Sequence, residues 1–151
     1  MEFIDLKAQY QYLKEEMNQG LAQVLESARF IGGTEVSQLE RRLQEYTTRK
    51  HCISCGNGTD ALLLAYMAIG VKEGDAVFCP DMTFIASIEP ACLLGATPIF
   101  VDIDIKSYNL DPQSLEERVR EIKESGKFNP KAVVAVDFLG NPAELTEIRN
   151  I

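Results

Sequence analysis

Cys55-Gly56-Asn57-Gly58-Thr59-Asp60 separates a short apolar run, residues 51–54, from a longer apolar segment, residues 61–69. Two glycines let a backbone turn sharply and come close to a ligand. Thr59 and Asp60 then open a helix, whose free backbone N–H groups and positive dipole end favour an anion. The stretch reads as a phosphate cradle, with a tight strand-to-helix turn that binds nothing as the plain alternative. Residues 56–61 also fit G-x-G-x-x-A, a variant of the dinucleotide fingerprint, and Asp81 past the next strand suits its ribose-binding acid. No Walker lysine follows the turn, which argues against a nucleoside triphosphatase.

Upstream of the turn the pattern is helical. Tyr10, Leu13, Met17, Leu21, Val24 and Ala28 recur at intervals of three and four, predicting a helix over 7–28 that Gly32-Gly33 stops. Phe30 and Ile31 beside that pair are expected to close the helix end, or else to line a pocket. A second helix is expected over 35–46, with Val36, Leu39, Leu43 and Tyr46 on one face and Glu40, Arg41, Arg42 and Glu45 solvated.

From residue 51 strands alternate with helices. Strands are expected at 51–54, 76–79, 98–101 and 132–136. The helix over 59–69 is apolar nearly all round and is expected to be buried. Residues 81–84 form a loop before a helix that runs to Leu94, with Pro90 in its first turn or kinking it. Asp111-Pro112 starts another helix, since the aspartate supplies a capping oxygen and the proline lacks an N–H that would be unpaired there anyway. That helix turns Leu115, Val119 and Ile122 inward. Asn141-Pro142 is expected to start the last helix, with Leu145, Ile148 and Ile151 on one face. Such alternation implies an α/β layer on a mainly parallel sheet.

At 151 residues the chain has the size of one domain with a real core. Its net charge of -8 argues against nucleic acid, whose binders need basic faces. No run approaches the roughly 20 apolar residues that span a bilayer, and no basic-then-apolar leader is visible, so a cytoplasmic protein is the default. Cys52-Ile53-Ser54-Cys55 matches C-x-x-C, but a zinc site needs further ligands, and a redox pair belongs at a helix N-terminus rather than inside a strand. Two structural thiols are expected.

Six motifs then occur in order: Phe3-Ile4-Asp5-Leu6; Phe30-Ile31-Gly32-Gly33 with Glu35-Val36; Asn57-Gly58-Thr59-Asp60-Ala61-Leu62; Pro80 with Thr83-Phe84-Ile85-Ala86-Ser87; Gly95-Ala96-Thr97-Pro98 with Phe100-Val101-Asp102-Ile103-Asp104; and Tyr108-Asn109-Leu110-Asp111-Pro112. Together they closely resemble the N-terminal half of the large domain in the DegT/StrS-type aminotransferases. These are pyridoxal-phosphate enzymes of the aspartate-aminotransferase fold that often make amino sugars. The resemblance implies an incomplete three-layer α/β/α domain over 50–151, preceded by a helical segment over 1–49.

It also implies pyridoxal 5'-phosphate (PLP) as cofactor. Gly58, Thr59 and Asp60 would hold its phosphate through backbone amides and the hydroxyl, and Phe84 would stack on its ring, with plain core packing as the alternative for Phe84. Asp102 and Asp104, a tempting metal pair, are expected to be caps and turn formers instead. Asp137 stands where many relatives carry a histidine or a tyrosine-rich loop. The parent reaction would pass an amino group from an amino-acid donor to a keto-sugar nucleotide, in a homodimer with shared active sites. In the family the Schiff-base lysine and the aspartate on the pyridine nitrogen lie further along, so no catalytic residue is assigned here and the isolated chain is expected to be inactive. The strand at 51–54 is likewise expected to lack its usual neighbour. An NAD-binding domain and a non-catalytic interaction module are the rival readings.

Overall fold

The computed structural model describes residues 4–151, so Phe3 of the first motif lies outside the described residues. The chain divides into two compact units, one reaching to Ser54 and the other Cys55–Ile151. The first holds two helices, α1 (Leu6–Ser27) and α2 (Thr34–Thr47). The side chain of Asp5 caps α1 by accepting from the N–H of Ala8 at 2.9 Å. Neither helix buries a side chain. Phe30 and Ile31 do not close the end of α1: they are 68% and 96% exposed, and Ala28 in the left-handed region makes the cap.

Residues 51–54 form no strand. A strand needs a neighbouring backbone, and here the N–H and hydroxyl of Ser54 both donate to Glu40 Oε1, at 2.9 and 2.8 Å. Glu40 is thus half-buried rather than freely solvated, and the Ser54 backbone N–H holds its carboxyl below the usual range.

In the second unit, α3 (Gly58–Ala68) leads through a short turn to β1 (Asp75–Pro80). A 3-10 turn (Ile85–Ser87) and α4 (Glu89–Leu93) follow, then β2 (Thr97–Val101), α5 (Pro112–Ser125), β3 (Asn129–Val133) and α6 (Leu145–Ile148). The sheet is parallel throughout, in the order β2-β1-β3. Every residue of β1 is buried, because helices cover both faces. Val77 and Cys79 pack with Tyr66, Val71, Ile88 and Ala91 on one side. Ala76 and Phe78 pack with Val101, Leu110, Leu115 and Val119 on the other. Three layers result.

The proline effects are local. Pro90 sits in the first turn of α4, which splits the expected helix after Ser87. Pro130 lacks an N–H for the ladder, and the β1–β3 register shifts beside it, between Ala76 and Val77. β3 ends at Val133, earlier than expected, since its last bond to β1 runs from Val134 N–H to Phe78 O at 2.8 Å. The last helix begins at Leu145, because a residue before proline is pushed toward extended backbone and Asn141 (ψ 118°) obeys. The burial expected of α3 is also corrected: Tyr66 alone is buried, while Leu64, Met67 and Ile69 are about half exposed.

Asp75, 3% exposed, anchors the start of β1. Its carboxylate accepts from Asn129 Nδ2 at 2.9 Å and from the N–H of Lys72 at 3.1 Å. The Asn129 bond holds the carboxyl below the usual range. A depressed carboxyl contributes stability above its unfolded pKa, near 4, and loses it as pH falls through the folded value. Urea midpoints should therefore be level down to about pH 4 and fall below it. Asp75→Asn should lower the neutral-pH midpoint and flatten that acid limb.

Candidate functional site

α3 starts on Asn57, whose Oδ1 accepts from the N–H of Asp60 at 2.9 Å while its Nδ2 donates to Asp60 Oδ2 at 3.0 Å. This reciprocal cap was missed in the sequence; the visible signal was an asparagine three residues before an acidic one. It fixes the hydrogen bonding at the start of α3. The N–H and carboxylate of Asp60 are engaged by Asn57, and a Cβ on Gly56 would lie 2.9 Å from Asp60 Oδ2. The N–H groups of Gly58 and Thr59 have no partner among the described residues. A Cβ on Gly58 would meet nothing within 4 Å. The turn thus offers two free donors and open space at a helix N-terminus, which fits a phosphate.

The segment that carries Phe84 packs against α3. Tyr66 of α3 packs with Val77 and Cys79 of β1, and a short connection joins the two elements. Phe84 follows the C-terminal end of β1 by four residues, in extended backbone (φ -72°, ψ 138°). Its side chain is 75% exposed, so core packing does not account for it. The segment behind it is fixed: Tyr66 of α3 donates its hydroxyl to Ser87 O at 2.7 Å, and the Thr83 and Ser87 hydroxyls bond at 2.8 Å. Burial pushes the Tyr66 phenol up to about 12 and the Cys79 thiol up to about 11, so both stay neutral and structural.

Asp104 is a turn former, accepting from the N–H groups of Ser107 at 2.8 Å and Lys106 at 3.2 Å. Those bonds, Ser107 foremost, hold its carboxyl below the usual range. Asp137 braces a loop, with Oδ1 accepting from the N–H of Ala143 at 2.9 Å. Cys52 and Cys55 are free thiols, and Cys55 Sγ donates to Asn57 O at 3.3 Å. Among the described residues no helix is long and apolar enough to cross a membrane.

The model of the DegT/DnrJ/EryC1/StrS aminotransferase family matches residues 11–151. The chain belongs to this family. Its members are PLP-dependent aminotransferases, and membership leaves the dinucleotide reading of the glycine turn without support. The chain is 43% identical, over all 151 residues, to UDP-2-acetamido-2-deoxy-3-oxo-D-glucuronate aminotransferase of Pseudomonas aeruginosa, and covers 40% of that protein. A family aminotransferase structure from Brucella abortus superposes with a TM-score of 0.96 at 40% identity, over 99% of this chain and 40% of that one. NtdA of Bacillus subtilis, solved with the cofactor PMP bound, gives 0.79 at 28% identity, over 90% of this chain and 30% of that one. The chain therefore spans about 40% of the length of these two relatives, from Pseudomonas aeruginosa and Brucella abortus.

Proposed function

We propose that these 151 residues supply the phosphate-binding and ring-covering part of a PLP site in a sugar aminotransferase. What supports this reading is the exposed Phe84 just past the C-terminal end of β1, together with the free donors that Gly58 and Thr59 leave at the start of α3. Gly58 and Thr59 hold the phosphate through their N–H groups and the Thr59 hydroxyl. Asp60, bound to Asn57, keeps the helix start in shape. Phe84 covers a ring face, an aromatic contact worth about 0.5–1.5 kcal/mol. When bound, PLP supplies the electron sink for transamination.

In this reading residues 50–151 belong to the large domain and 1–49 to a helical segment preceding it. The parent enzyme passes an amino group from an amino-acid donor to a keto-sugar nucleotide and works as a homodimer. The substrate class follows the relatives, whose names describe sugar-nucleotide aminotransferases. None of the six lysines of residues 50–151, Lys50, Lys72, Lys106, Lys123, Lys127 and Lys131, acts as the Schiff-base lysine in this reading, so the 151 residues alone bind without catalysing.

Equilibrium binding of PLP to the 151-residue chain tests this. Phe84→Ala should weaken binding about two- to tenfold and leave the melting temperature unchanged, as the ring is exposed. Gly58→Val should weaken binding in a chain that still folds, since the added atoms meet open space. Binding indifferent to both substitutions would sink the site. A visible absorbance that borohydride fixes stoichiometrically onto one lysine would sink the inactivity.

A further inference from the structure

Among the described residues, four other than glycine hold a positive φ. Ala28 and Thr48 are helix C-caps, where a left-handed residue is ordinary. Tyr108 (φ 60°) and Leu139 (φ 53°, ψ 25°) are not caps. They follow the C-terminal ends of β2 and β3, and they meet in one assembly. The Tyr108 and Phe138 rings stand 6.5 Å apart between centroids. Asn109, 4% exposed, accepts from the N–H of Phe138 at 3.0 Å and donates Nδ2 to Asn141 O at 2.9 Å. Asn141 returns a bond from Nδ2 to Ser107 O at 3.2 Å.

A bulky residue persists in the left-handed region only where its surroundings over-determine it, and such strain gathers at ligand clamps. Leu139 recovers nothing by burial, for its side chain is 87% exposed. β1 and β3 are adjacent and parallel, so the loop over 137–141 leaves the same edge of the sheet as the segment carrying Phe84. That edge, at the C-terminal ends of parallel strands, is where open α/β sheets bind ligands.

We propose that the 137–141 loop is a preformed lip of the ligand site, with Leu139 an apolar contact to bound PLP and Asn109 the residue that positions it. This rests on the cofactor site proposed above. The test measures PLP affinity and melting temperature together for the 151-residue chain and for Leu139→Gly, Leu139→Ala and Phe84→Ala. Glycine takes a positive φ freely, so Leu139→Gly should melt higher while binding PLP about fivefold more weakly. Leu139→Ala should show the same loss of affinity without the full gain in melting temperature. If Phe84→Ala weakens binding and both Leu139 variants bind as the unaltered chain does, the lip is overturned and the cofactor site stands. If the unaltered chain does not bind PLP, or Phe84→Ala leaves binding unchanged, the site is overturned and the lip with it.

Discussion

Phe78→Ala is expected to destabilise the chain by about 3–5 kcal/mol, the usual cost of emptying a buried phenylalanine site. Phe78 is 1% exposed at the centre of β1, the middle strand, and packs with Val101, Leu110, Leu115 and Val119. The void cannot collapse easily, because β1 is fixed by pairing on both sides and the facing residues come from β2, from α5 and from the segment between them. Set against a total of about 5–15 kcal/mol for an ordinary domain, that loss removes much of the folding free energy. Urea unfolding followed by far-UV circular dichroism should show the midpoint falling steeply with the slope retained. A loss under about 1 kcal/mol would mean that Phe78 does not pack in solution as it does here.

Asn109→Ala is expected to cost about 2–3 kcal/mol, although it removes only an amide. The buried side chain is bonded at both ends, and its removal leaves the N–H of Phe138 and the carbonyl of Asn141 without partners. Unpaired backbone groups carry the larger part of that cost. Asn109→Asp separates the two ends: it keeps an acceptor for Phe138, loses the donor to Asn141, and adds a buried charge. It should be no more stable than Asn109→Ala in the same urea titration. An Asn109→Ala chain as stable as the unaltered one would show that the two loops are not held through this residue.

Elements whose causes are local were legible in the sequence. Asp111 does cap α5, accepting from the N–H of Gln113 at 3.0 Å, and Pro112 opens the helix. The apolar run around Val77 does form a buried strand, and a helix does follow the glycine turn, starting at Gly58, one residue before the expected Thr59. What depends on distant chain was not legible. Residues 51–54 have strand composition, but Glu40 takes the polar groups that a neighbouring strand would have paired. The apolar circumference of α3 predicts burial only if something packs on every side, and Leu64, Met67 and Ile69 face none of the described residues closely enough to be covered. Phe84 is a further case, since composition favours a buried ring and only the fold shows it exposed. The loop over 137–141 takes its shape from Asn109, a partner 29 residues before Phe138 and 32 before Asn141. A window of neighbouring residues holds no trace of that pairing.

The strand order has a kinetic side. β1 comes first among the strands yet lies in the middle, so both of its pairings close long loops, and the bond from Asn129 to Asp75 spans 54 residues. Loop closure costs about 0.6 kcal/mol more for each doubling of length, and pairings of high sequence separation form late. β3 is also only partly covered, where β1 is buried throughout. The strand that joins last is thus the one least held by burial, and such elements open first under native conditions. Because the 137–141 loop hangs from β3, the loop proposed to line the ligand site is tied to the part of the sheet that opens most readily.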